Sequence, residues 1–453
     1  MRDKLKSAGG WAAIRYAVKV ALQVGILPFS RAIFSKNACK TCALGMGGQQ
    51  GGMINERGDF PEICKKSMQA QLTDIQPGIS KSLFSQKSIE ALKKLSGRDV
   101  ERLGRLAFPI YKGKNDTHFQ PISWEESLSR IIEKFRSTSS ERTFFYSSGR
   151  SSNEAAFILQ VFARLYGTNN VNNCSYYCHQ ASGVGLNLSL GTATATLLLE
   201  DLQQSDLIFV IGANPASNHP RFLRELMLCR RRGGEVVILN PLKELGLVRF
   251  AVPSDVRSML SGGSEIASLY LQPNIGGDIA VLKGIAKIVL ESEKQDTSFI
   301  SQFTNHWEEF RDDLLKTSWD EILSISGLKK IEIENAAKLY INAKNVVFSW
   351  AMGITHHDHG VHNVQAITNL ALLRGMIGRK NAGLLPLRGH SNVQGVGSVG
   401  FTPTLKTKIF ENLQKQYSIQ LPTTPGMDTM ACMQAALEGK VDLAFLLGGN
   451  LYQ

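Results

Sequence analysis

Cysteine is scarce in this chain, which has seven cysteines in 453 residues. One close pair and otherwise irregular spacing do not form a disulfide framework in a chain of this length. We therefore expect a reducing, cytoplasmic location, in which the cysteines serve metal binding or catalysis.

Long apolar runs are missing as well, because none approaches the roughly 20 residues that a helix needs to cross a bilayer. Residues 1–29 are basic and mildly amphipathic, but Lys19 interrupts their apolar part. Neither a small-residue cleavage site nor a twin arginine follows. We expect a helix that lies on the body of a cytoplasmic protein, and no transmembrane segment.

Two common nucleotide-binding motifs are missing from the loops that follow the predicted strands. None of these loops is a GxGxxG or a Walker A motif, so an ordinary NAD or ATP site is not supported. The net charge of +12 suits nucleic acid, an anionic surface or an anionic cofactor alike. The densest basic run, Arg230 to Arg232 before Gly233, is typical of the last turn of a helix. We expect no nucleic-acid partner.

The chain is long enough for two or three domains, and its 43% apolar and 20% charged residues are ordinary for a globular protein. From Gly104 onward, apolar runs without alternation are separated by helical patterns. This arrangement indicates parallel strands covered on both faces, and so an α/β fold with parallel sheets flanked by helices. The predicted strands are 143–147, 206–211, 235–239, 346–351 and 441–447.

The loops that follow these strands concentrate glycine, asparagine, serine and histidine. Ligands of parallel sheets bind at the carboxyl ends of the strands. Several small-residue loops that converge on one crevice favour a large, elongated, phosphate-bearing cofactor. The loops are 148–154, 212–220, 240–241, 352–360 and 448–450.

Cys178 is the first candidate for chemistry. It is followed directly by His179 and by a small-residue stretch that can begin a helix, so a helix dipole and an imidazole are available to lower the pKa of its thiol. The alternative is a buried cysteine beside a solvated histidine. A cysteine hydrolase is a poor third interpretation, because adjacent side chains point in different directions.

Cys39, Cys42 and Cys64 surround a glycine-rich stretch at residues 45–52. Two thiolates separated by two residues can bind one metal centre, and a third thiolate can complete most of a site. The pattern suits an iron–sulfur cluster with a non-cysteine or open fourth position, or an incomplete zinc site. Unligated thiols in a loop are the alternative.

Arg388 lies between a proline turn and Gly389, amid amide side chains. A guanidinium in such a place is a natural receptor for a carboxylate or another oxyanion, and capping of a loop carbonyl is the alternative. The histidines at 356, 357, 359 and 362 favour a solvated or cofactor-contacting loop over a metal site.

Four longer motifs occur in a characteristic order: Gly167 to Asn170 followed by Cys178-His179, Gly212 to Pro220, Met352 to Thr355, and Arg388 to Gly395. With them, nearly the whole chain resembles the alpha subunit of molybdopterin-dependent formate dehydrogenases, above all their YdeP-like branch. The resemblance implies an N-terminal iron–sulfur subdomain at 1–105 and two α/β domains that hold bis(molybdopterin guanine dinucleotide). These two domains are expected at 106–172 with 392–453, and at 173–391.

The resemblance also implies roles for single residues. Cys178 matches the ligand of molybdenum, His179 the proposed proton acceptor, and Arg388 the arginine that orients the substrate carboxylate. Cys39, Cys42 and Cys64 match three ligands of a 4Fe-4S cluster, and Lys66 matches the lysine between cluster and pterin. Further cofactor contacts are expected at Gly149, Arg150, Gly212, Asn214, Asn240, Gly353, His390, Asn392 and Gln394.

The implied function is the two-electron oxidation of formate or a similar small anion. Electrons would leave one at a time through the pterin to the cluster, and from there to an electron-acceptor protein whose identity the sequence leaves open.

The chain departs from the family at three points. Met46 stands where a typical member has a fourth cluster cysteine, and His390 stands where true formate dehydrogenases carry glutamine. The family continues for some hundreds of residues beyond Gln453, so the cofactor-closing C-terminal domain is expected to be absent. Either another chain supplies it, or this is a shortened, non-catalytic paralogue that acts as a cofactor-binding remnant or partner.

Overall fold

The structure, a computed structural model, describes residues 7–36, 39, 41–42, 44, 51–55, 57–62, 64–449 and 451. The chain divides into two compact units. Unit 1 comprises residues 1–15, 42–66 and 177–391, and unit 2 comprises residues 16–41, 67–176 and 392–453. The three expected domains remain a prediction beside these two units.

The strands of the described part of the chain are short, each with two to five residues. In chain order they are β1 (Ala8–Gly9), β2 (Ile110–Tyr111), β3 (Gln120–Pro121), β4 (Thr143–Ser147), β5 (Val171–Asn173), β6 (Leu207–Ile211), β7 (Glu235–Leu239), β8 (Arg249–Ala251), β9 (Ser264–Glu265), β10 (Leu269–Leu271), β11 (Val346–Trp350), β12 (Gly383–Pro386) and β13 (Leu443–Leu447).

The α-helices lie mainly between the strands. They are α1 (Gly10–Val24), α2 (Ile26–Ile33), α3 (Lys65–Asp74), α4 (Ser82–Gln86), α5 (Ile89–Lys93), α6 (Gly97–Arg102), α7 (Trp124–Ser137), α8 (Asn153–Tyr166), α9 (Ser175–Cys178), α10 (Gln180–Leu190), α11 (Pro215–Asn218), α12 (Pro220–Arg231), α13 (Leu245–Val248), α14 (Val256–Leu260), α15 (Asp278–Glu291), α16 (Thr297–Phe303), α17 (Trp307–Lys316), α18 (Trp319–Ser326), α19 (Lys330–Asn342), α20 (Met352–Thr355), α21 (Gly360–Leu373), α22 (Val393–Ser398), α23 (Thr407–Tyr417) and α24 (Thr429–Leu437).

Unit 1 is built on a parallel five-stranded sheet in the order β10-β7-β6-β11-β12. The chain runs outward from β6 through β7 to β10, and then returns to the other side of β6 with β11. Phe209 of β6 pairs with Phe348 of β11, and their rings stack with centroids 4.9 Å apart. The change of direction between β6 and β11 is a topological switch point, where parallel sheets bind ligands.

Unit 2 contains a smaller parallel sheet in the order β13-β4-β5. All five residues of β4 are buried, and the ring of Phe145 stacks on that of Phe445 across the β4–β13 pair, with centroids 5.9 Å apart. These two parallel sheets and the helices between their strands confirm the predicted α/β class with parallel sheets.

The strand predictions are confirmed within two residues at each end. The predicted strands 143–147 and 235–239 have the observed bounds, while 206–211, 346–351 and 441–447 are one or two residues too long. Eight shorter strands were missed, because two to four residues are too few for a clear period: β1, β2, β3, β5, β8, β9, β10 and β12. The basic run 230–232 does close a helix, since α12 ends at Arg231 and Gly233 follows with φ of +88°.

The predicted N-terminal helix is two helices. Gly25 separates α1 from α2 with φ of +93°, a backbone conformation that suits glycine. In the described part of the chain no single helix is long and apolar enough to cross a membrane. α1 and α2 meet that requirement only when taken together across a bend of 116°.

We expect Gly353→Ala to lower the free energy of unfolding by about 1–3 kcal/mol, a usual cost of overpacking. A Cβ at this position would lie 2.6 Å from the carbonyl oxygen of Gly212, which is backbone and cannot move aside cheaply. Urea denaturation followed by tryptophan fluorescence measures the effect.

The matched control is Gly183→Ala in the same unit. The new Cβ would lie 4.0 Å from Ala193 Cβ, an ordinary contact, and alanine favours the helix. This control should be neutral or more stable by up to about 1 kcal/mol. Equal destabilisation by the two changes would contradict the proposed close approach at Gly353.

Candidate active site

Two glycines meet at the switch point of the unit 1 sheet. Gly212 follows β6 with φ of +55°, and its carbonyl accepts a hydrogen bond from the Gly353 N–H at 3.0 Å. A Cβ on Gly212 would lie 2.8 Å from the carbonyl carbon of Gly353. The contact leaves bare backbone at the carboxyl ends of β6 and β11, which is what close approach of a phosphate-bearing ligand requires.

The amides of Asn214 and Asn240 hold the neighbouring backbone. Asn214 Oδ1 accepts from the Ser217 N–H at 3.3 Å and caps α11. Asn240 Nδ2 donates to the Ala213 carbonyl at 3.4 Å, and its Oδ1 accepts from the Leu242 N–H at 3.2 Å. Both side chains shape the loops, and their contact with a cofactor stays a prediction.

Cys178 is the last residue of α9 and is half-buried. Its Sγ lies 3.7 Å from Met352 Sδ, and the Gly389 N–H donates to it. The Thr355 hydroxyl donates to the Cys178 carbonyl at 2.9 Å. The thiol is therefore fixed between the loop after β11 and the segment after β12.

The expected lowering of the Cys178 pKa is wrong. Burial raises the pKa of this thiol, and this effect exceeds the opposing effects of the Gly389 N–H and the Arg388 charge. The free thiol is therefore the stable form here. The cation that favours the thiolate is Arg388, supplied by a distant segment, whereas the prediction relied on His179 and a helix dipole.

Arg388 follows β12 and is only 3% exposed. Its Nη2 donates to the Ala193 carbonyl at 2.7 Å, and its own carbonyl accepts from His219 Nε2 at 2.8 Å. The structure thus contains the carbonyl capping that was the alternative for this arginine. The guanidinium charge nevertheless acts on both Cys178 and His179.

His179 is fully buried, and its Nδ1 lies 2.9 Å from Ser182 Oγ. Trp350 Nε1 donates to the same hydroxyl at 2.9 Å. Burial, and then the Arg388 charge, lower the pKa of His179 to about 3, although the Leu387 carbonyl acts in the opposite direction. The imidazole is therefore neutral at ordinary pH, and the solvated histidine of the alternative interpretation does not occur.

The histidines after β11 brace the backbone. His356 Nε2 donates to the Tyr177 carbonyl and His357 Nε2 to the Gly353 carbonyl, each at 2.8 Å. Among the described residues, no group of three or more histidine, cysteine or acidic side chains is placed to hold a metal ion.

Sequence reasoning missed two residues of this site, His219 and Met352. Both lie in loops that were singled out as strand-end loops, the first before α12 and the second at the start of α20. Their place in the loops that follow predicted strands was the signal that could have found them.

Unit 2 brings together four of the other predicted positions. The Asn392 N–H donates to the Gly149 carbonyl at 2.8 Å, and Asn392 Nδ2 donates to the Ser151 carbonyl at 2.8 Å. The Gly149 N–H lies 3.1 Å from Cys174 Sγ. Arg150 is exposed and Gln394 is half-buried, as is His390 of unit 1.

The segment that leads to Cys64 is anchored in unit 1 by ion pairs. Arg57 pairs with Glu225 of α12 at 2.9 Å, and Glu62 pairs with Arg221 at 3.3 Å and also with Arg224. Cys42 and Cys64 are buried in this unit, and Cys39 is buried in unit 2. Lys66 is half-buried in α3. Met46 and the other residues 45–50 lie outside the described residues, so ligation of a cluster stays a prediction.

Comparison with known proteins identifies the family. The molybdopterin oxidoreductase family matches residues 105–453. The chain belongs to the molybdopterin oxidoreductase family. YdeP of Escherichia coli K12 is 36% identical over an alignment of 472 residues, which covers 99% of this chain and 61% of YdeP. Formate dehydrogenase H of the same strain is 28% identical over 366 residues, which cover 77% of this chain and 48% of that enzyme.

A solved structure supports the same fold. Acetylene hydratase from Pelobacter acetylenicus superposes with a TM-score of 0.51 at 18% identity, over 62% of this chain and 37% of that one. The chain spans 61% of the length of YdeP and 48% of the length of formate dehydrogenase H.

Membership of the molybdopterin oxidoreductase family implies a pterin cofactor that carries molybdenum or tungsten. The residues present fit such a group. A half-buried thiol with an N–H donor and a nearby cation suits a soft, high-valent metal.

We expect Arg388→Met to raise the pKa of Cys178 further, because the Arg388 cation favours the thiolate. The rate of iodoacetamide alkylation of Cys178 in cofactor-free protein, measured against pH by peptide mass spectrometry, reports this pKa. Arg388→Lys keeps the charge and should keep most of the effect. An unchanged profile in Arg388→Met would show that the guanidinium does not act on the thiol.

Burial also lowers the pKa of His219 below its ordinary value of 6.5. As the pH falls below 6.5 the unfolded chain binds a proton that the folded chain does not, so stability falls by at most roughly 1.4 kcal/mol per pH unit. Since His219→Gln keeps an N–H donor for the Arg388 carbonyl and cannot titrate, it should lose stability less steeply between pH 6.5 and pH 5.

Urea denaturation at a series of pH values measures the slope. If the His219→Gln slope equals that of the parent, His219 is not held neutral by burial.

Proposed function

We propose that this protein oxidises formate or a similar small anion by two electrons at bis(molybdopterin guanine dinucleotide). The electrons then pass to a 4Fe-4S cluster at Cys39, Cys42 and Cys64, and on to an acceptor protein. The proposal includes a cytoplasmic location, supported by seven cysteines that form no disulfide bond.

One observation carries the proposal: the Cys178 thiol accepts a hydrogen bond from the N–H of Gly389, the residue next to Arg388, at the carboxyl edge of the unit 1 sheet. A thiol is a soft ligand, and a buried guanidinium attracts a small anion. Neither group alone points to this chemistry, but a metal ligand beside an anion receptor does.

Cys178 would bind the metal. Because its pKa is raised in the free protein, the thiol gives up its proton when it binds, and the Gly389 N–H remains to donate to the sulfur. When bound, the molybdenum or tungsten pterin supplies two-electron redox chemistry.

Arg388 would orient the anion. Its Nη2 is fixed by the Ala193 carbonyl, so the guanidinium is held in one orientation. Immobilising the cation before the substrate arrives avoids the entropy cost of ordering it during binding.

His179 is the proposed proton acceptor. Oxidation of formate yields carbon dioxide, one proton and two electrons. A pKa of about 3 makes the free imidazole a weak base, and an anion bound nearby would raise that pKa. The same neutral state keeps a second positive charge away from Arg388.

The electron path and the substrate rest on the family resemblance. Lys66, two residues after Cys64, is the proposed contact between cluster and pterin. Formate as substrate is supported by the 28% identity to formate dehydrogenase H. His390, in place of glutamine, favours testing other small oxyanions beside formate.

We expect Cys178→Ala to abolish formate-dependent reduction of a viologen dye while leaving the iron content unchanged. The protein is purified anaerobically from cells supplied with molybdate or tungstate, and metals are measured by mass spectrometry. Cys432→Ala removes a buried thiol from unit 2 and should keep both metal and activity.

Two results would contradict the proposal. Absence of molybdenum, tungsten and a pterin fluorophore in the parent protein would refute the cofactor. Loss of iron together with activity in Cys178→Ala would mean that this cysteine serves the cluster.

A further inference from the structure

The N-terminal helices α1 and α2 carry an unusual charge pattern. Residues 10–36 contain Arg15, Lys19, Arg31 and Lys36 and no aspartate or glutamate. In the part of the chain that the structure describes, none of these four cations forms an ion pair with a carboxylate. The segment is therefore uniformly positive, whereas the rest of the chain mixes both signs.

The same two helices expose large apolar side chains. Leu22 is 67% and Leu27 72% exposed, and Trp11, Val18, Ile26 and Phe34 are exposed to similar extents. Trp11, Val18 and Leu22 share one face of α1, since they are spaced by seven and four residues. Val20, Phe29 and Ile33 are buried instead and hold the helices on the protein.

Exposed apolar and basic side chains alternate on this surface. Arg15 and Lys19 are exposed beside Val18 and Leu22, and Arg31 is exposed between Leu27 and Phe34. Side chains of this mixture suit the boundary between lipid headgroups and acyl chains, where long basic side chains reach the headgroups and apolar ones enter the hydrocarbon.

We propose that this surface, the exposed face of α1 and α2, binds the protein to an anionic lipid membrane. The membrane is favoured over an acidic protein partner because the exposed apolar side chains are spread along two helices, an arrangement that suits a broad lipid surface. The cytoplasmic leaflet is anionic, which matches the four unopposed cations. The helices lie along the membrane surface, with their buried faces still packed on the protein.

Vesicle cosedimentation of the full chain tests the proposal. Binding is expected to vesicles of phosphatidylserine and phosphatidylcholine in equal parts, and at least tenfold weaker binding to vesicles of phosphatidylcholine alone. Binding should also weaken as salt is raised, because salt screens the attraction.

The variant Leu22→Glu/Leu27→Glu should reduce binding to the anionic vesicles at least tenfold. Its matched control is Leu260→Glu/Leu437→Glu, which makes the same chemical change at two leucines that are 84% and 83% exposed elsewhere. The control should lose far less binding, since its leucines lie outside the proposed surface.

The basic residues have their own pair of variants. Lys19→Gln/Arg31→Gln should weaken binding by about fivefold for each charge removed. The control Lys114→Gln/Arg257→Gln has the same change in net charge and should bind like the parent. Thermal melts by circular dichroism verify that all four variants are folded.

Three outcomes would overturn the proposal. These are equal binding to anionic and neutral vesicles, equal losses in each variant and its control, or no vesicle binding by the parent. Dimers that sedimentation detects without vesicle binding, and that Leu22→Glu/Leu27→Glu dissociates, would assign the surface to a second copy of the chain.

Discussion

The parallel pairing of β6 with β11 holds the candidate site together. These strands are far apart in sequence, and their five-residue register places the loops that follow them side by side. Gly212 and Gly353 then touch through backbone atoms, and a side chain on either would force the loops apart. The Cys178 backbone is fixed to the loop after β11, so the position of the thiol depends on the same pairing.

Burial dominates the electrostatics of the site. Arg388, His179 and His219 are all nearly inaccessible to water, and burial disfavours the charged form of a titratable group, whether that charge is positive or negative. Both histidines are therefore neutral, and the pKa of the Cys178 thiol is raised despite the nearby cation. Arg388 remains the permanent charge among these groups, and its hydrogen bond to Ala193 helps to offset the cost of burying it.

Much of the fold could be predicted from local patterns. β4 and β7 have the predicted bounds, because continuous apolar runs of five residues are distinctive. β10 and β12 were missed because they are short, yet β12 positions Arg388. At the site, Cys178 and Arg388 were predicted on residue chemistry and family resemblance, whereas His219 and Met352 became visible only when the strand-end loops were placed in space. The domain boundaries and the cluster ligands remain predictions.

Local sequence already contained the α/β class, the strand-end loops and the residue types suited to a soft metal and an anion, since hydrophobic periodicity and side-chain chemistry are properties of neighbouring residues. Tertiary packing decided the protonation states. His179 was expected to lower the pKa of the adjacent thiol, but its ring is buried against Ser182, and the charge that favours the thiolate comes from Arg388, 210 positions along the chain. Burial and charge proximity depend on which segments pack together, and adjacency in sequence does not specify them.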